Sequence, residues 1–382
     1  MASSSRRCLL GAALSLGLAA RAQAGGAGQA QSTQAGPRFG AALPLSGPYA
    51  LGGDETLRGL QLAIDTINAQ GGIAGKPVSL ATADMPSQAA AAGAVNRLIK
   101  DAHAGILFGS GSSALSYPAT AAAELAQIPF IELTAPADGI MTRGFKFLLR
   151  TGPSTSMTAQ LAAATIRARF AGRRLGLLFN AGATDGAIAA ATLAALKMAG
   201  LPLTLAAGYP EDASGLADQA GRMMRAKVEV LLHAAGADDA LVAFQAMREL
   251  GWRPAALIGM GTGYAQRETQ EALGAALDGA FVIAAPFYPG PAAAIAAAYE
   301  AKFAVQPRSA ESCTAYVGAK LVFDTLRAAG DDPARLLAAL RQVNLPKGAL
   351  ANGFGAAFDN AGQNSRSFVT LQNWKNGSLI PA

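Results

Sequence analysis

Aromatic residues make up only 6% of the 382-residue chain and charged residues only 15%, while histidine and cysteine occur twice each. Each scarcity excludes something. Two distant histidines (His103, His233) and two distant cysteines (Cys8, Cys313) cannot form a metal cluster of ordinary spacing. They leave no basis for a disulfide framework either. No Gly-x-Ser-x-Gly elbow is present and neither histidine has a catalytic setting, so hydrolase chemistry has no support and no enzyme activity is expected. No segment is both long and apolar enough to supply the roughly 20 residues that a membrane-spanning helix needs. Basic residues exceed acidic ones by only 31 to 25, too little for a nucleic-acid surface.

What the chain does have is small residues, with 44 glycines and 51% hydrophobic content. Residues 1–24 read as an export signal: Arg6 and Arg7, an apolar run from Cys8 to Ala20, and the small-x-small site Ala22-Gln23-Ala24. Ser5-Arg6-Arg7-Cys8-Leu9-Leu10 also resembles a twin-arginine signal, so Sec and twin-arginine export both stand. Cleavage would remove Cys8, Arg6, Arg7 and Arg21, leaving 28 basic residues against 25 acidic and the single cysteine Cys313. Residues 25–37 are small and uncharged, a flexible leader. A periplasmic location is expected.

From Arg38 onward, apolar strands alternate with Gly/Pro loops and helices. Leu57, Leu60, Ile64 and Ile67 share one helical face within an expected helix Thr56–Ala69. A helix over Tyr117–Ala126 would carry Pro118 near its first turn. The alternation restarts after Thr151-Gly152-Pro153 and continues to about residue 285. Such a rhythm predicts an α/β fold with parallel sheets covered on both faces, arranged as two lobes. The end differs, and Asn376-Gly377 signals a terminal hairpin.

Leu43-Pro44-Leu45-Ser46-Gly47-Pro48-Tyr49, followed by Gly52-Gly53-Asp54 and Arg58-Gly59, resembles the start of mature leucine/isoleucine/valine-type periplasmic binding proteins of ABC importers. Ile67 to Lys76 (INAQGGIAGK), Gly144-Phe145 through Leu149-Arg150-Thr151, and Phe358-Asp359-Asn360-Ala361-Gly362-Gln363 are similar to later family segments. The ordered set covers about residues 38–382. The resemblance implies the type I periplasmic binding protein fold: two Rossmann-like lobes with parallel sheets, joined by three crossover strands near 150–153, 283–287 and 355–359. Lobe 1 would comprise 38–150 and 286–354, and lobe 2 would comprise 151–285 and 355–382. The implied partners are a small-molecule solute and the membrane permease and ATPase subunits of an importer. A monomer without a cofactor is expected.

Gly109-Ser110-Gly111-Ser112-Ser113-Ala114, between a strand and a helix, is the most informative local segment. Glycines admit a ligand close to the backbone, and the helix start offers free N–H groups to an anion. In similar binding proteins this loop holds a carboxylate, and Ser113 aligns best with the ligand serine. Ser112 adds a second hydroxyl, and helix capping by both serines is the structural alternative. Gly109-x-Gly111-x-x-Ala114 with Glu132 at the end of the next strand also satisfies a dinucleotide fingerprint, which would suit an exported nicotinamide oxidoreductase. A soluble ligand-sensing partner of a membrane receptor is a further alternative.

Thr134 and Ala135 stand where the resemblance places further carboxylate contacts. Amino-acid binders of the family carry an acid for the ligand ammonium after the strand ending near Gly259. Here Gly259-Met260-Gly261-Thr262-Gly263-Tyr264 has none. Asp185 and Asp238 are candidates to replace it, with N-capping as their alternative role. Tyr264 and Tyr49 either stack on the ligand or pack between lobes. Glu311 either reaches the pocket or serves as a first-turn helix acid. Ordinary leucine-type specificity is therefore not expected. A small carboxylate- or amide-bearing, amino-acid-like solute is, and its α-amino group is optional.

Overall fold

Residues 36–330 and 332–382 are described by a computed structural model. The export signal and most of the leader lie outside the described residues. The first part of the chain runs β1 (Arg38–Leu43), α1 (Ala50–Ala69), β2 (Ser79–Asp84), α2 (Gln88–Lys100), β3 (Ile106–Gly109), α3 (Ser113–Leu125), β4 (Phe130–Glu132), α4 (Asp138–Met141) and β5 (Leu148–Arg150). β1, β3, β4 and β5 are almost wholly buried because helices cover both faces of the sheet, while the edge strand β2 is partly exposed. They form a five-stranded parallel sheet in the order β2-β1-β3-β4-β5.

The pattern then repeats as α5 (Thr155–Arg169), β6 (Leu175–Asn180), α6 (Ala183–Met198), β7 (Leu203–Tyr209), α7 (Leu216–Arg225), β8 (Val230–Ala234), α8 (Ala237–Glu249), β9 (Ala256–Met260), α9 (Arg267–Leu273) and β10 (Phe281–Ala284). Three helices follow, α10 (Ala293–Phe303), α11 (Glu311–Ala329) and α12 (Pro333–Gln342), and the described chain ends in β11 (Thr370–Lys375) and β12 (Ser378–Pro381). The second sheet runs β12-β11-β10-β9-β8-β6-β7, parallel except for the β11–β12 hairpin at its edge. Asn376 and Gly377 both take positive φ (50° and 73°), the two-residue turn that this dipeptide favours.

Each sheet has its own core. α11 packs along α1 with Phe39, Phe108 and Phe323 interlocked between them and the first sheet. The second core gathers Leu231, Met247, Val282 and Trp374. Ala356 and Phe358 pack in the first core, and Val369 and Leu371 pack against a further cluster on the second sheet that includes Ile258 and Ile283.

Two helix starts differ from expectation. α1 begins at Ala50 rather than Thr56, which puts Gly52 and Gly53 inside a helix. A Cβ on Gly53 would lie 1.8 Å from the Pro44 carbonyl oxygen, so close packing of α1 on the loop after β1 outweighs glycine's poor helix propensity. α3 begins at Ser113 rather than Tyr117, so Pro118 occupies its second turn and leaves the Ala114 carbonyl without its helical donor.

Candidate functional site

In both sheets the strand order reverses at the first strand, β1 between β2 and β3, and β6 between β7 and β8. Loops diverge at such a switch point, and ligands of α/β proteins bind at the carboxyl ends of the strands there. A cavity of about 160 Å³ is lined from both sides at those ends. The first sheet contributes Tyr49, Gly111-Ser112 after β3 and Thr134 after β4. Glu311 and Thr314 join them from α11, one helical turn apart. The second contributes Thr184-Asp185 at the start of α6, Gly236 after β8 and Thr262 after β9, with Ala285 just past β10. The halves also touch directly. The Tyr49 hydroxyl donates to Glu211 (3.0 Å), the Ser113 N–H to the Thr184 hydroxyl (3.1 Å), and Arg308 pairs with Glu268.

Five of the nine residues singled out in the sequence line this cavity: Tyr49, Ser112, Thr134, Asp185 and Glu311. Ser112 stands at the N-cap position of α3 yet makes no capping bond, and its buried hydroxyl makes no well-formed hydrogen bond, with the Tyr49 hydroxyl nearby. The Thr134 hydroxyl is buried and unpartnered, so it does not stabilise the turn. Asp185 caps nothing either, since Gly182 holds the N-cap of α6.

The other four lie elsewhere. Ser113 is fully buried and its hydroxyl accepts the Ala137 N–H (3.3 Å), so the serine facing the cavity is its neighbour. Ala135 is buried, with its N–H on Glu132 (3.0 Å) and its carbonyl on Arg150 (3.1 Å). Asp238 is exposed on α8, and it is Asp239 that turns inward to Asn180 and Tyr209. Tyr264 neither stacks on the cavity nor bridges the lobes. It fills the space under Gly259, and its hydroxyl meets His233 Nδ1 at 2.5 Å. Burial lowers the His233 pKa to about 3, so this imidazole is a neutral core group. Thr184, Thr262 and Thr314 are cavity residues that the sequence did not single out. A polar residue one turn after Glu311 on the same face was the available signal for Thr314.

The dinucleotide alternative fails at Glu132. Its carboxylate is fully buried and accepts from Ser110, Ser116 and the N–H groups of Leu133, Thr134 and Ala135, leaving nothing for a ribose.

The model of one family, described as periplasmic binding protein, matches residues 37–378. The chain belongs to that family. Family members are periplasmic solute-binding proteins, not enzymes, and among the described residues no helix is long and apolar enough to cross a membrane. The chain is similar to Leu/Ile/Val-binding protein homolog 8 of Brucella suis biovar 1 (strain 1330), 32% identical over 391 residues, covering 98% of this chain and 95% of that protein. Among solved structures it resembles the branched-chain amino acid transporter substrate binding protein LivJ of Streptococcus pneumoniae, in complex with isoleucine. That match has a TM-score of 0.79 and 20% identity, over 90% of this chain and 97% of that one. A type 1 periplasmic binding protein of Bordetella pertussis Tohama I gives 0.79 and 20%, over 90% and 99%. At such identities the structures establish the type I fold.

Asp185 and Glu311 are the only charged side chains lining the cavity among the described residues. Burial, reinforced by Asp239 and Glu211, pushes Asp185 up to about 7. Burial also pushes Glu311 to about 7, with Glu55 adding to the rise and the Ser309 hydroxyl and Arg308 opposing it. A carboxyl held protonated more tightly when buried contributes fully at pH 4, and that contribution is lost as pH rises through about 7. Ligand-free protein should therefore melt lower at pH 8 than at pH 5. Glu311→Gln should recover on the order of 2 kcal/mol at pH 8 and little at pH 5. Melting curves at the two values check this, and parallel profiles for wild type and variant would refute it.

Proposed function

We propose that the chain is the substrate-binding component of an ABC importer that captures a small, amino-acid-like solute by closure of two lobes. The lobes are residues 38–150 with 286–358 and residues 151–285 with 369–382, the segment 355–358 going to the first lobe because Ala356 and Phe358 pack in its core. The chain acts as a monomer, exported by its first 24 residues and delivering solute to a membrane permease and its ATPase. The observation that carries this is the cavity itself: it is lined from both sheets and holds two hydroxyls without a well-formed hydrogen bond beside two carboxylates without cations. Such groups are costly to bury unless a ligand satisfies them. The relatives' names, and the isoleucine in the S. pneumoniae complex, favour an amino-acid solute.

Ser112, Thr134, Asp185, Glu311 and Tyr49 are the contacts assigned to the ligand. No covalent step is involved, because ligand bound between the lobes stabilises the closed form over the open one. A thermal-shift screen over amino acids, carboxylates, amides and amines tests this. At a hundredfold excess over Kd the true ligand should add about 2.7 kcal/mol of stability. A screen in which no member of these classes raises Tm would sink the proposal.

A further inference from the structure

The two carboxylates are separate sites. Asp185 rises from α6 of the second half and lies 3.7 Å from where a Cβ on Gly261 would be. Glu311 begins α11 in the first half, beside Gly52. Each has charged neighbours that affect its titration, Asp239 and Glu211 for the one, Glu55 and Arg308 for the other, and neither carboxylate figures among the other's. Set on opposite halves, against Gly261 and Gly52 respectively, they offer two points of contact to a ligand. Nor do they form a metal site, since no group of three or more His, Cys, Asp or Glu residues fit to hold an ion occurs among the described residues.

Neither carboxylate has its cation within the protein. Arg308, whose charge acts on Glu311, is engaged by Glu268 and Asp54. Glu311 keeps only the Ser309 hydroxyl, at 3.1 Å. Asp185 makes no hydrogen bond. A second, independent feature points to a ligand. Ser112 is 2% exposed, lines the cavity, and has a hydroxyl that makes no well-formed hydrogen bond, as does Thr134. The Ser113 N–H is already taken by Thr184, so a bound anion would rest on these two hydroxyls.

We propose that the cavity selects a short diamino acid, with one ammonium on Asp185, the other on Glu311, and the carboxylate on the Ser112 and Thr134 hydroxyls. This rests on the solute-binding function proposed above and narrows its substrate class. One buried carboxylate (Glu311) and one partly buried carboxylate (Asp185) facing one small cavity disfavour an aliphatic side chain, which would leave one of them without a partner.

Isothermal titration with L-ornithine and L-norvaline tests the inference, because the two differ only in the terminal amine. Wild-type protein should bind ornithine at least tenfold more tightly. Glu311→Gln and Asp185→Asn should each weaken ornithine tenfold or more. One of them, the partner of the terminal amine, should shrink the ornithine–norvaline gap below threefold. Norvaline, leucine or isoleucine binding as tightly as ornithine would overturn the inference while leaving the importer function standing. Glutamine binding more tightly than ornithine would overturn it too, by showing that the carboxyls act as protonated donors to an amide. No response to any of these or to the wider screen would bring down both. The wild-type comparison needs no variant, so a misfolded substitution does not blunt the test.

Discussion

Glu132→Ala should destabilise the protein by at least about 3 kcal/mol and weaken ligand binding more than a hundredfold. One carboxylate oxygen accepts the N–H groups of Ser110 (2.8 Å), Leu133 (3.1 Å), Thr134 (3.2 Å) and Ala135 (3.0 Å). The other accepts the hydroxyls of Ser110 (2.7 Å) and Ser116 (2.6 Å). Glu132 and all of these donors except the partly buried Thr134 are buried. Removing the acceptor leaves several donors unsatisfied at about 1–3 kcal/mol each, with partial relief by relaxation. The loops it ties together carry Ser112 and Thr134, so stability and binding should fall together. Glu132→Gln should be intermediate, because its amide turns donors toward donors. Urea unfolding and titration calorimetry measure both quantities. Near-wild-type binding by a folded Glu132→Ala protein would show that the loops hold their shape without this anchor.

The second large effect is expected at Arg150, which ends β5 where the chain first leaves the first sheet. Its guanidinium is 1% exposed, donates to the carbonyls of Ala135 (3.1 Å) and Ala137 (2.8 Å) and to Gln363, and faces Asp138 at 3.6 Å. Gln363 in turn donates to the Gly152 carbonyl (3.0 Å), fastening the C-terminal segment to the crossing. Burial lowers the Arg150 pKa to about 10, still high enough to keep the group charged at neutral pH. Arg150→Met keeps the apolar stem but orphans two buried carbonyls and Gln363, at a cost of about 3–5 kcal/mol. Denaturant midpoints check it, and a loss below about 1 kcal/mol would mean that water replaces the guanidinium.

Much of this architecture was legible beforehand because it is periodic. Alternating apolar strands and amphipathic helices can satisfy their backbone only as covered parallel sheets, and Asn376-Gly377 encodes its own turn. The ordered motifs carried the family as well. The site was legible only to the level of the loop. Ser112 and Ser113 are chemically identical neighbours, and which one faces the cavity depends on where α3 starts, since one residue along a helix turns a side chain by about 100°. That start is set by the loop bound to Glu132, a residue 19 positions beyond Ser113. Asp185 and Asp238 open comparable helices, yet only the former faces the opposite half. Tyr264 looked like a stacking residue because nothing local reveals that Gly259 leaves room for its ring in the core.

The sequence by itself determined the α/β alternation, the terminal hairpin, the family and the loops from which a ligand site would be built. These follow from local propensity and hydrophobic period, which act over a few residues. Tertiary structure alone decided which side chains share the cavity, that two carboxylates enter it without a cation, and that Glu132 is an anchor rather than a contact. Those outcomes depend on distances between groups far apart in the chain, and only packing sets such distances.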